Sequence, residues 1–275
     1  MDFGIKGKVA IVTGTNRKGA MGASIATTLA QEGADIACVD IVMPGCEEVA
    51  KSIRELGRRA IAVKADQSDY EQVKAAVERI KSELGPPEIL VNNAALLRGG
   101  GRIDKTTVED WKNLMKIDLD GPWYWIREAW PYMVEKKFGR IINISSIAGV
   151  QGGFGQANYS AAKGAVISLA KTAALEGART GITANVVTLG VVDTAGDRPA
   201  APPPPPPGAT PGQGAPPRGP QQGETFDRIK MQIAMREFGK PADVANIVAY
   251  LCSVQARYIT GQDVHVMGGL DLFTY

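Results

Sequence analysis

The sequence predicts a doubly wound α/β fold, a parallel sheet with helices on both faces. Short apolar runs of strand length alternate with longer segments of helical periodicity along the whole chain. A glycine-rich turn joins the first run to the first helical segment. The apolar fraction of 44% is enough to cover both faces of a sheet.

Residues 8–13 read as a buried first strand and residues 21–32 as the first helix. The second strand, 35–40, ends on Asp40 and carries Cys38 as a small core residue. A helix follows at about 47–56 and a third strand at 60–64. Residues 70–84 form an amphipathic helix, with Val73, Val77, Ile80 and Leu84 at helical spacing. The fourth strand, 89–92, leads into Asn92-Asn93-Ala94-Ala95. A long helical region covers about 108–136, with a kink expected near Gly121-Pro122. A fifth strand at 140–145, a helix at 158–178 and a sixth strand at 183–187 continue the alternation. Helices at about 225–236 and 242–252 and a strand at 263–266 close it. Right-handed crossovers between such strands put ligands at the carboxyl ends of the sheet.

One stretch departs from this pattern. Residues 199–220 are of low complexity, with an unbroken proline run from Pro202 to Pro207. Such a run suits polyproline II or an irregular surface excursion, not a helix or a central strand. The chain after it is too short for a core of its own, so residues 1–275 are expected to form one domain carrying a proline-rich surface insert.

Composition excludes several classes. The net charge is +2 without a basic stripe, which argues against nucleic-acid binding. No apolar run approaches the roughly 20 residues of a membrane span. The first residues lack the apolar stretch of a signal peptide, so a soluble, cytoplasmic protein is expected. Cys38, Cys46 and Cys252 are too few and too scattered for a disulfide framework or a metal site. His265 is the only histidine; between Val264 and Val266 in a strand it reads as structural, not as part of a nucleophile triad.

The chemistry-bearing residues begin with Tyr159-Ser160-Ala161-Ala162-Lys163. Positions i and i+4 of a helix share a face, so a phenol and an ammonium group project together. A cation beside a phenol favours the phenolate and lowers a pKa ordinarily near about 10. That combination is an acid/base. The turn Thr13-Gly14-Thr15-Asn16-Arg17-Lys18-Gly19-Ala20-Met21-Gly22 lets backbone N–H groups approach a pyrophosphate at a helix N-terminus. Gly14, Asn16, Gly19, Met21 and Gly22 are its cofactor-binding candidates, and the sequence leaves open whether Gly19 or Ala20 takes the middle place. Asp40, at a strand end, suits the adenosine ribose hydroxyls and would repel a 2′-phosphate, favouring NAD over NADP. Arg17-Lys18 is the counter-signal.

With these motifs in this order, followed by Asp66, Ser146 and Gly190 to Thr194, the chain resembles the short-chain dehydrogenase/reductase family over about residues 7–269, leaving out the insert. The resemblance implies a Rossmann-type sheet and hydride transfer between a nicotinamide and a secondary alcohol or ketone. It implies Tyr159 as proton donor and acceptor, and Lys163 as the group that lowers the tyrosine pKa and holds the nicotinamide ribose. Ser146 would orient the substrate oxygen. Asp66 would border the adenine, Asn92 would support the sheet and cleft, Asn93 would bind cofactor, and Thr194 would contact the nicotinamide carboxamide. Family members commonly assemble as dimers or tetramers, so a homotetramer is expected.

The chain departs from the family pattern in three places. The glycine turn is stretched, Leu189-Gly190 replaces the usual Pro-Gly, and Asp118 stands where the family carries an asparagine. A carboxylate there would partly neutralise Lys163, so a slower enzyme with an alkaline-shifted pH optimum is expected. Leu96, Leu97 and Phe154 suggest an apolar substrate pocket, and Arg98 and Arg102 could meet an anionic group. The leading expectation is an NAD-dependent alcohol dehydrogenase or carbonyl reductase with Ser146, Tyr159, Lys163 and Asp118 as its catalytic residues. An NADP-dependent reductase of carbonyls or 3-oxoacyl thioesters is the alternative. A nucleotide-binding protein with weak or no catalysis is the third reading.

Overall fold

Val9–Thr13 (β1) is buried along its whole length, as a strand covered on both faces must be. The computed structural model describes residues 2–96, 101–194 and 222–272. The proline-rich insert, Leu97 and Arg98 lie outside them. β1 pairs in parallel with Asp35–Asp40 (β2), Val9 opposite Asp35 and Thr13 opposite Val39. Outward from β2 lies Ala60–Lys64 (β3); on the other side of β1 come Pro87–Asn92 (β4), Gly139–Ser146 (β5), Ile182–Leu189 (β6) and Asp263–Val266 (β7). All pairs are parallel, giving a 7-stranded sheet in the order β3-β2-β1-β4-β5-β6-β7. The direction of winding reverses between β1 and β4, which opens a crevice at their carboxyl ends.

Alternate residues of each strand face opposite layers. Ala10, Val12, Ile36, Cys38, Ile89 and Val91 pack under Met21–Gln31 (α1), Met43–Glu55 (α2) and, later in the chain, Pro241–Cys252. Val9, Ile11, Ala37, Val39 and Leu90 pack on the other face, under Tyr70–Glu83 (α3) and the helices at 121–136 and 157–177. Cys38 is fully buried, as its strand position predicts, and all three cysteines are buried and free.

Local chemistry moves several boundaries away from the sequence expectation. α2 begins before residue 47 because Pro44 fits a first turn, where its missing N–H would have no partner anyway. Asp69 caps α3, accepting hydrogen bonds from the N–H groups of Glu71 and Gln72. The long helical region is three pieces: Val108–Met115 (α4), a π turn at Lys116–Asp120, and Gly121–Lys136 (α5). A short helix, Ile147–Gln151 (α6), was not expected; Ser146 caps it, its Oγ accepting from Ala148 N at 3.2 Å. Ala157–Gly177 (α7), which runs into a 3-10 turn at Ala178–Thr180, Gln222–Gln232 (α8) and Pro241–Cys252 (α9) complete the helices of the described residues. His265 stands on the outer strand β7 between Asp271 and Asp263, at 2.6 and 3.3 Å, a surface cluster consistent with a structural histidine. No helix among the described residues is long and apolar enough to cross a membrane.

Candidate active site

Strand ends and glycines build the first wall of the site. Gly14 leaves β1 with φ +77°, and an added Cβ would meet Asn93 Nδ2 at 2.6 Å. A Cβ on Gly22 would lie 2.2 Å from the Gly14 carbonyl oxygen, so α1 closes on the turn only through glycine. The turn is clamped to the loop after β4. Asn93 Nδ2 donates to Thr13 O at 2.8 Å, and Thr13 Oγ1 accepts from the N–H groups of Asn93 and Ala94 at 3.0 and 2.9 Å. α1 begins here without a side-chain cap, and a helix N-terminus of that kind suits a pyrophosphate.

A cleft of ≈ 530 Å³ follows the strand ends. Gly14, Asn16, Met21, Gly22, Asp40, Asp66, Asn93, Ser146, Tyr159, Lys163 and Thr194 all line it. Gly19 does not. Gly19 has φ +77°, and Ala20, the N-cap of α1, lines the cleft instead. Asp40 is 8% exposed, and its Oδ1 accepts from Asn16 Nδ2 at 3.2 Å and Val42 N at 3.0 Å. The extra residues of the stretched turn thus steady the carboxylate. Arg17 is turned elsewhere: its Nη2 donates to Thr194 O at 2.9 Å, across the cleft. The donors, the space and the glycine-only approach fit a dinucleotide.

The second wall is β5 and α7. Ser145 and Ser146, adjacent in sequence, have different duties. Ser145 Oγ donates to Lys163 O at 2.8 Å and is spent on structure, whereas the Ser146 hydroxyl stands near enough to the Tyr159 phenol to pull its pKa down. Lys163 is 5% exposed; its Nζ lies 5.7 Å from the Tyr159 ring centre and donates to Ile144 O at 3.2 Å. Asp118 is fully buried and stands behind Lys163, not on the cleft wall, with Oδ2 3.5 Å from Nζ. Its Oδ1 accepts from Leu96 N at 2.7 Å. Asn92, expected to support the sheet, donates to Asn143 Oδ1 at 2.9 Å, and Asn143 Nδ2 donates to Val166 O at 3.1 Å, joining β4, β5 and α7.

Burial dominates the titration of this wall. It pushes the Asp118 carboxyl up, opposed by Lys163, and the Lys163 ammonium down, opposed by Asp118. It also pushes the Tyr159 phenol above its ordinary value; the Ser146 hydrogen bond pulls the other way, and the Asp118 charge adds to the rise. The spacing of Tyr159 and Lys163 alone predicts a lowered phenol pKa. The structure gives the opposite sign, because burial is the largest influence on the phenol and the Asp118 charge adds to it.

Some contributors carry no motif. A Cβ on Gly149 would lie 2.6 Å from the Lys163 carbonyl carbon, so α6 meets α7 at the lysine only because this residue is glycine. Gln67, one residue beyond Asp66, sits between the loops of the first wall. The nearest sequence signal for it was its neighbour Asp66.

Comparison with known proteins adds a second line. Residues 8–203 match the short chain dehydrogenase family, and residues 209–271 match a family described as enoyl-(acyl carrier protein) reductase. The chain is 35% identical to the 3-oxoacyl-[acyl-carrier-protein] reductase FabG of Staphylococcus aureus over 272 residues, 96% of this chain and 98% of that protein. The same-named protein of Aquifex aeolicus is 32% identical over 271 residues, 98% of this chain and 100% of the relative. Nodulation protein G of Azospirillum brasilense is 33% identical over 269 residues, 96% of this chain and 98% of the relative.

Proposed function

The chain belongs to the short-chain dehydrogenase/reductase family of oxidoreductases, and from that premise we propose that it reduces a 3-oxoacyl thioester, or a ketone of similar shape, with NADH as hydride source. One observation carries the reading: Ser146, Tyr159 and the buried Lys163 share the cleft wall facing a glycine cradle, with the lysine Nζ 5.7 Å from the phenol ring. The thioester class rests on the relatives named for it, in preference to the simple secondary alcohol expected from the sequence. The choice of NADH rests on Asp40.

Gly14, Ala20, Met21 and Gly22 would hold the pyrophosphate of a dinucleotide, Asp40 the adenosine ribose, and Asp66 would border the adenine. Lys163 and Thr194 would serve the nicotinamide end. A dihydronicotinamide held there would supply the hydride for the carbonyl carbon. Negative charge then develops on the carbonyl oxygen, where positioned donors act most strongly. Ser146 donates a hydrogen bond that orients that oxygen, and Tyr159 gives it the phenolic proton. A phenol with a raised pKa stays protonated at neutral pH, which is the state reduction requires; oxidation of the alcohol needs the phenolate.

Asp118 acts through Lys163 and through its own charge. Asp118→Asn removes an anion that raises the Tyr159 pKa. The falling limb of the reduction profile should move to lower pH, and the rising limb of the reverse oxidation should move with it. Oxidation at neutral pH then speeds up by about tenfold for each pH unit moved. An unchanged pH–rate profile would remove Asp118 from the mechanism.

The reading is tested by following nicotinamide absorbance with NADH and NADPH on a short 3-oxoacyl thioester and a panel of ketones and aldehydes. Turnover of the thioester with NADH is the expected result. Turnover of simple ketones alone would return the substrate to the secondary-alcohol class. Cofactor binding without turnover would favour a nucleotide-binding protein of feeble chemistry, a reading for which the anion 3.5 Å from Lys163 Nζ is the main support.

A further inference from the structure

We propose that Gln67 is a positioning residue, which locks the π turn carrying Asp118 to the adenosine side of the cleft and so sets the titration of the catalytic wall. The proposal rests on the reductase reading above, in which Asp118, Lys163 and Tyr159 act together.

Gln67 follows Asp66 beyond β3 and is 7% exposed. Its amide Nε2 donates twice, to Ile117 O at 2.7 Å and to Ala94 O at 3.1 Å. Ile117 lies inside the π turn at Lys116–Asp120. A π turn shifts backbone carbonyls out of the ordinary helical ladder, so a carbonyl there benefits from an outside donor. Ala94 belongs to the loop after β4, the loop whose Leu96 N–H is held by Asp118 Oδ1 at 2.7 Å. The π turn and the β4 loop are thus tied at two points, and Gln67 brings the β3 loop into the same knot.

Packing points the same way. A Cβ on Gly121 would lie 2.8 Å from Gln67 Cγ and 3.0 Å from Gln67 Cβ. The glutamine stem therefore fills the space beside the first residue of α5, directly after the wide turn. Removing one residue's worth of widening would rotate the turn by about 100° relative to the next helix. Asp118 would then leave Lys163. The amide is uncharged, so Gln67 acts on the site only by holding Asp118 where it is.

The titratable groups facing this spot are Asp118 from the π turn, Lys163 and Tyr159 from α7, and Asp66 from the β3 loop. The Asp66 carboxylate is engaged by Ser68, whose N–H and hydroxyl reach Oδ1 at 2.9 and 2.8 Å. Gln67 itself touches adenosine-side structure and catalytic-side structure at once, which makes it a mechanical link between the two ends of the cofactor cleft.

The test is the pH–rate profile of Gln67→Met, which keeps length and loses the donor, with Gln67→Leu as the second variant should the first fail to fold. The expected result is a kcat lower by about tenfold or more, the cost of misplacing a group near the chemistry, with KM for NADH little changed. The alkaline limb should move in the direction of Asp118→Asn, and in the Asp118→Asn background Gln67→Met should leave the limb where it is, since residues acting through one contact are not additive. A lower melting temperature with a wild-type pH profile would overturn the proposal and leave Gln67 a packing residue. Failure of the underlying reading has a separate sign, namely full activity in Tyr159→Phe.

Discussion

Tyr159→Phe should lower kcat for reduction by roughly 10³-fold while leaving NADH affinity nearly unchanged, because a positioned general acid is worth about 10²–10⁴-fold. The substitution removes one oxygen and keeps the ring, which is half-buried against Lys163. The remaining structure stays in place: Ser145 still bonds the lysine carbonyl, and the glycine cradle is on the opposite wall. Ser146 keeps its hydroxyl, so some rate over water survives through charge stabilisation of the carbonyl oxygen. Steady-state kinetics with NADH fluorescence titration separates the two quantities. A loss of less than tenfold would mean that another group delivers the proton, and no other phenol or imidazole lines the cleft among the described residues.

Asp40→Asn should lower the NADH-to-NADPH ratio of kcat/KM values by roughly 10²-fold, since a unit-charge contact near a protein surface is worth about 4 kcal/mol at 4 Å before discounts. Asparagine keeps an oxygen for the Val42 N–H and Asn16, so the loop geometry survives while the charge is lost. The sequence offers Arg17-Lys18 as a rival signal for the 2′-phosphate. Arg17 is bonded to the Thr194 carbonyl at the nicotinamide end, so it would have to give up that bond to serve a phosphate. Arg17→Ala should therefore cost NADH and NADPH alike. A selective loss of NADPH use would restore the basic pair as the cofactor determinant.

The inner strands were legible because each is a short buried run, and β2 and β3 fall on the same residues in sequence and structure. Tyr159, Lys163 and Asp40 were readable as candidates because each sits on a regular element whose face or end periodicity fixes, whereas Ser146 was singled out by its spacing from Tyr159 in the family it resembles. The π turn was not, since only a kink at Gly121-Pro122 is visible in sequence, and one extra residue in a helical turn leaves the apolar pattern almost intact. The start of α2 falls ahead of the expected residue 47 because Pro44 fits a first turn. The sign of the Tyr159 shift was unreadable for a different reason. Spacing reveals the neighbouring charge but not how much water has been excluded from both partners, and here burial is the larger effect. Gln67 carries no motif; its importance appears only when three loops distant in sequence are seen to meet at one amide.

The three free cysteines have a consequence for the handling of the molecule. Burial pushes the Cys252 thiol up to about 12 and raises Cys38 and Cys46 as well. The folded chain therefore offers almost no thiolate, and only thiolate reacts with alkylating agents. Each cysteine sits in a different part of the architecture: Cys38 in β2, Cys46 in α2 beside the cofactor turn, Cys252 at the end of α9. Mass-resolved alkylation under native conditions then becomes a set of silent clocks, each ticking only when its own element opens. The order in which the three start would show which part of the molecule breathes first.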